Sequence, residues 1–232
     1  MLKSRELIII KRGVYITLSF VLLLWVIKSI EWANQVDLGN LGILPRTLGG
    51  SIGIITGPLI HGDIYHLVSN SIPLIILGLG LFYFYHNIAL EVFIWIYLAS
   101  GFWVWIIGRE AYHIGASGIV YGLMMFLFWG GILRKNPRSL AISLIVFFLY
   151  GSMIYGLFPI DDTISWESHV MGSLAGIFLA IYFRKKPIHV GGEGIRYADD
   201  VGIESSESVQ ENQINHTMGR DTLITYNYKR KS

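Results

Sequence analysis

Apolar residues gather in six blocks, at roughly 13–30, 64–84, 88–107, 115–133, 139–157 and 168–183, with polar or glycine-rich stretches between them. A helix needs about 20 apolar residues to cross the hydrocarbon core, and the six blocks approach or meet that length. The fourth and sixth open beside polar motifs, and the sixth is short. Short or glycine-interrupted spans suggest a helix that starts below the membrane surface, inside a protein-lined cavity. The pattern predicts an all-α polytopic membrane protein built as a bundle of six transmembrane helices.

Composition supports this. Hydrophobic residues make up 53% of the 232 and charged residues 15%, against about 25% charged in a soluble domain. Mean hydropathy is +0.53. The charge sits at the N-terminus, in short clusters, and in the last fifty or so residues. The absence of cysteine excludes disulfides, thiolate metal sites and a cysteine nucleophile. A net charge of +2 says little about partners, and nothing reads as a nucleic-acid surface.

The first block follows Lys3, Arg5, Lys11 and Arg12 and ends at Lys28–Glu31–Trp32 with no small-x-small cleavage site, so it reads as a retained signal anchor. With the N-terminus inside, the inner face also receives Arg134, Lys135, Arg138, Arg184, Lys185 and Lys186, whereas the outer face holds only Lys28, Arg46 and Arg109. This asymmetry predicts six spans with both termini cytoplasmic. Residues 1–12 are then a cytoplasmic segment, 13–184 the membrane domain, and 185–232 a polar cytoplasmic tail, expected to be disordered or weakly ordered from 187 onward. The segment 31–60 is a long outer loop. It carries many glycines and apolar residues that could dip into the interface, and long ordered loops tend to be functional.

Polar residues inside spans cost free energy and invite functional hypotheses. Gly115-Ala-Ser117-Gly118 opens the fourth block. A serine in a first helical turn can attack a carbonyl while nearby unpaired N–H groups hold the oxyanion. The plainer reading is helix packing, because Gly118-xxx-Gly122 is a small-residue pattern. His169 opens the sixth block, with Gly172 and Gly176 on its own helical face. On the predicted topology both starts face outward, so a Ser–His hydrogen bond is available, as an activated serine requires. The alternative for His169 is a structural bond to a neighbouring helix. His61, His66 and Asn70 lie at the entry to the second block, the last two on one face. A neutral imidazole and a carboxamide are both oxyanion donors. A metal role is the weaker option, given the five-residue spacing of the histidines and the lack of cysteine.

Taken together, His61…His66…Asn70, Gly115-x-Ser117-Gly118 and His169…Gly172…Gly176 resemble the rhomboid family of intramembrane serine proteases in order, spacing and outward facing. The resemblance covers about residues 13–184. It implies a rhomboid-like six-helix bundle with a long first outer loop, Ser117 as nucleophile and His169 as base. It further implies oxyanion donation by His66 and Asn70 beside the Ser117 N–H, and Tyr121 stacked on the His169 ring. Gly172 would let the fourth and sixth helices meet, and His61 would tie the outer loop to the second helix. Substrates would be transmembrane proteins cleaved in or near their spans, with no cofactor or metal. One departure stands out: many members carry Trp-Arg in the first outer loop, whereas this chain has Pro45-Arg46. The expected setting is a bacterial cytoplasmic membrane. The other readings are a catalytically silent client-binding relative and a small transporter or channel using His66, Asn70 and His169.

Overall fold

The computed structural model describes residues 2–135, 137–160, 164–186, 189–190 and 193–194. The expected tail therefore lies almost wholly outside the described residues, as do Asp161 and Asp162.

Helix α1 runs Leu2–Asn34, well beyond the predicted 13–30. The flanking charges mark where apolar sequence stops, but lysine and arginine are good helix formers, so the helix does not stop with it. It ends before Gln35, whose φ of 51° is left-handed. The one-turn helix α2, Gly53–Thr56, lies within the long loop among short 3-10 turns. Helix α3 spans Ile64–Phe84, capped by the Asp63 carboxylate, which accepts the His66 N–H at 2.8 Å. That bond holds the Asp63 carboxyl below its usual range. Helices α4 (Ala89–Ile107) and α5 (Ser117–Leu133) follow, then α6 (Pro137–Tyr150), which continues as a 3-10 helix through Leu157, and α7 (Trp166–Tyr182). A two-residue ladder pairs His189–Val190 with Glu193–Gly194.

Among the described residues, four stretches are long and apolar enough to cross a membrane: Leu7–Asn34, Ile64–Phe84, Ala89–Ile107 and Ser139–Leu157. Helices α5 and α7 are shorter, at 17 residues each. Most of α5 is buried, because it touches α3, α4, α6 and α7. A helix surrounded by protein on all sides need not match the full hydrocarbon thickness.

Glycines set how α5 and α7 cross. A Cβ at Gly172 would lie 2.0 Å from the Gly118 carbonyl oxygen, and one at Gly176 would lie 2.1 Å from that of Gly122. The two small-residue patterns thus face each other, and backbone rests on backbone. At the C-terminal end of α5, Arg134 ties the same helices together. It donates to the Phe183 and Lys186 carbonyls at 2.7 and 2.6 Å while lying over the Tyr85 ring.

The long loop folds along α4. Ile43 and His113 exchange backbone hydrogen bonds of 2.9 Å in both directions. Tyr97 Oη donates to the Ile55 carbonyl, and Trp105 Nε1 donates to that of Thr47 at 2.9 Å. At the Pro45-Arg46 departure, the Arg46 N–H donates to the Trp105 carbonyl at 2.9 Å and its guanidinium to that of Gly108 at 2.6 Å. Leu48 and Ile52 remain exposed.

Candidate active site

Ser117 is the first residue of α5, where backbone N–H groups have no acceptor in the preceding turn. Gly115 makes this start workable. Its φ of +102° lies where side-chain-bearing residues are strained, and its N–H donates to the Gly57 carbonyl at 2.9 Å. The Ala116 N–H donates to His61 Nε2 at 3.3 Å. His61 therefore ties the loop to the start of α5, and its ring also meets His66 of α3 edge-on at 5.1 Å. Lys28 holds this turn from α1, donating to the His61 and Gly62 carbonyls at 2.8 and 3.0 Å while paired with Glu31 at 2.8 Å.

His169 lies one turn into α7 and is buried. Its Nε2 is 2.9 Å from Ser117 Oγ, and its Nδ1 is 2.7 Å from the Gly156 carbonyl oxygen. A carbonyl only accepts, so Nδ1 carries the proton and Nε2 is left as an acceptor for the Ser117 hydroxyl. The carbonyl occupies the place that a carboxylate holds in a triad. Tyr121 stacks on the imidazole at 4.2 Å between centroids and 9° between planes, and its Oη donates to the Met153 carbonyl at 2.7 Å. The 3-10 stretch after α6 thus supplies acceptors to both rings.

His66 and Asn70 approach from α3. A Cβ placed on Gly115 would sit 2.6 Å from His66 Nε2 and 3.7 Å from Asn70 Nδ2, so both groups line the backbone two residues before Ser117. Asn70 is buried and spends one N–H on the His66 carbonyl at 3.1 Å, leaving a second donor. Gly118 packs against Ser168, whose carbonyl oxygen would be 3.1 Å from an added Cβ.

Residues 49–186 match the family described as Rhomboid domain. The chain belongs to the rhomboid family. Its rhomboid relatives include the uncharacterized proteins Rv1337 of Mycobacterium tuberculosis (strain ATCC 25618 / H37Rv) and Mb1372 of Mycobacterium bovis (strain ATCC BAA-935 / AF2122/97). Each is 33% identical over 184 residues, covering 73% of this chain and 74% of the relative. The uncharacterized protein ML1171 of Mycobacterium leprae (strain TN) is 30% identical over 183 residues, covering 73% of this rhomboid and 70% of the relative.

Ser117, His169, Tyr121, His66, Asn70, His61, Gly115 and Gly118 meet at this one locus, while Gly172 and Gly176 lie along the α5–α7 crossing next to it. Several others at it carry no periodic or motif signal: Gly156 and Met153, which act through backbone carbonyls, and Lys28 of α1, which enters the sequence reading only as a charge bearing on topology. His113 and Glu167 are the two that sequence could have flagged. Each is ionisable, buried and within four residues of Ser117 or His169.

Proposed function

We propose that this rhomboid is an intramembrane serine endopeptidase acting through a Ser117–His169 dyad. It hydrolyses peptide bonds in or near the transmembrane segments of membrane-protein substrates. The observation that carries the reading is the 2.9 Å contact between Ser117 Oγ and His169 Nε2, with the opposite ring nitrogen held by the Gly156 carbonyl.

His169 Nε2 takes the hydroxyl proton as Ser117 Oγ attacks the scissile carbonyl. The oxyanion forms beside the Ser117 N–H, His66 Nε2 and Asn70 Nδ2. Each well-placed donor contributes about 10²–10³ in rate. The imidazolium then protonates the leaving amine, and water resolves the acyl-enzyme by the same route in reverse. Tyr121 holds the ring in plane throughout. The membrane domain, 13–184, crosses the bilayer six times, with α5 and α7 starting at the outer side and both termini cytoplasmic. The chain resides in a bacterial cytoplasmic membrane, and its partners are transmembrane substrates and lipid.

Co-expression with candidate single-span proteins tests the reading. Wild type should release a fragment cut in or near the span, and Ser117→Ala should release none while accumulating to the same level and folding alike. Cleavage that persists in Ser117→Ala refutes the assignment. Absence of cleavage and of active-site labelling in the wild type would point to the client-binding alternative.

A further inference from the structure

The connection that delivers Ser117 to the bundle, residues 108–116, has almost no regular secondary structure. It must nevertheless hold a hydroxyl within hydrogen-bond range of a ring on another helix. His113 sits in its middle and is 2% exposed. Its backbone is paired to Ile43 of the long loop. Its ring reaches two further elements. Nε2 lies 3.1 Å from the Arg109 carbonyl oxygen at the end of α4, and a carbonyl only accepts, so this nitrogen carries the proton. Nδ1 is then an acceptor, 2.6 Å from Ser165 Oγ at the N-cap of α7. Ser165 Oγ is in turn 2.6 Å from Ser168 Oγ. For the neutral ring that burial favours, the proton directions follow: Ser168 donates to Ser165, and Ser165 to His113.

Glu167 closes the cluster from the same turn of α7 and is 4% exposed. Its carboxylate lies 3.5 Å from the Arg109 guanidinium and 4.0 Å from His113 Nδ1, and accepts the Arg109 N–H at 3.4 Å. Arg109 also donates to the Ile164 carbonyl at 3.0 Å. Residues 165–168 immediately precede His169, and residues 109–116 immediately precede Ser117. The long loop, the connection out of α4 and the first turn of α7 thus converge on one buried imidazole.

We infer that His113, supported by Glu167, is a positioning junction that sets the approach of Ser117 to His169. It touches neither reacting atom and acts by fixing the two segments that carry them. Its effect on rate rests on the dyad reading above; its effect on local order does not. A displacement of about 1 Å in a reacting pair costs about 10²-fold in rate, so a junction of this kind leaves a kinetic signature.

Full-length wild type, His113→Asn, His113→Leu and Glu167→Gln are compared by two measurements. Fluorophosphonate labelling gives a maximal rate constant, a half-saturating concentration and a final labelled fraction. Hydrogen exchange reports on residues 109–118 and 165–169. His113→Leu should lower the maximal rate constant about tenfold or more, within the loss expected of such a displacement. Its half-saturating concentration and final labelled fraction should match wild type, and exchange should rise in the two named segments only. His113→Asn, which keeps an acceptor for Ser165, should recover most of the rate. Glu167→Gln should act in the same direction as His113→Leu with a smaller effect. Wild-type rates with wild-type protection in His113→Leu and Glu167→Gln overturn the inference. So does a rate loss matched by a fall in final labelled fraction, since that reports unfolding. If wild type itself takes no label, the dyad reading fails and exchange alone decides the junction: unchanged protection in His113→Leu overturns it, and locally raised exchange upholds it.

Discussion

Adding a single methyl group at Gly172 should sharply slow the proposed proteolysis without altering any side chain assigned to the reaction. The new Cβ would stand 2.0 Å from the Gly118 carbonyl oxygen, 2.8 Å from its carbon and 3.0 Å from the Gly118 Cα. All three are backbone atoms of α5, so no side chain can swing aside. Ordinary contact begins near 3.4 Å, and reaching it requires α5 and α7 to part by over an ångström at the crossing. The Ser117–His169 hydrogen bond spans the same two helices toward their N-terminal ends and measures only 2.9 Å. A separation of that size takes it out of hydrogen-bond range. Overpacking of this kind costs about 1–3 kcal/mol in stability, and an ångström of misplacement costs about 10²-fold in rate. Gly172→Ala should therefore lose about 10²-fold in cleavage of a reconstituted single-span substrate, with only a modest fall in thermal midpoint. Gly49→Ala is the control, since nothing lies within 4 Å of its added Cβ. A Gly172→Ala enzyme as fast as wild type would refute the claim that this crossing sets the dyad distance.

Further outcomes follow from the same geometry. His66→Ala and Asn70→Ala should each lower kcat about 10²–10³-fold with KM little changed, because the oxyanion exists only on the reaction path; equal losses in KM would argue for substrate binding instead. Tyr121→Phe keeps the ring over His169 and should retain most activity, whereas Tyr121→Ala removes a stacking contact of about 0.5–1.5 kcal/mol and should slow labelling by up to about tenfold. His61 gives a pH dependence. Burial, reinforced by neighbouring His66, pushes its imidazole from 6.5 down to about 4. Between those values the unfolded chain binds more protons at this site than the folded protein does, so stability falls as pH drops from 6.5 toward 4. His61→Gln should show a flatter decline of thermal midpoint with acidification than wild type; an equally steep one would remove His61 from the account.

The apolar blocks located the helices well where the sequence changes character at the helix end. The block at 64–84 coincides with α3, and 88–107 differs from α4 by one residue at its start. The first block failed as a guide to helix length, because charge marks the limit of apolar sequence and not the limit of hydrogen-bonded backbone. The block at 139–157 hid a change of winding after Tyr150, since an apolar run reads alike as α or 3-10 helix. That change matters, because the 3-10 stretch turns the Met153 and Gly156 carbonyls toward Tyr121 and His169. At the site, glycine spacing and the polar residues at helix starts pointed to Ser117, His169, His66 and Asn70. Backbone acceptors such as Gly156 leave no trace in residue identity. The His113–Ser165–Ser168 chain joins residues about fifty positions apart through loops, where no periodicity exists to reveal a shared surface.

Mass spectrometry of the protein after fluorophosphonate treatment goes most directly to the dyad. The phosphonyl group should be found on Ser117 in the wild type and should be absent when His169 is replaced by alanine. An adduct on any other residue, or one on Ser117 that forms at the same rate without His169, would contradict the account.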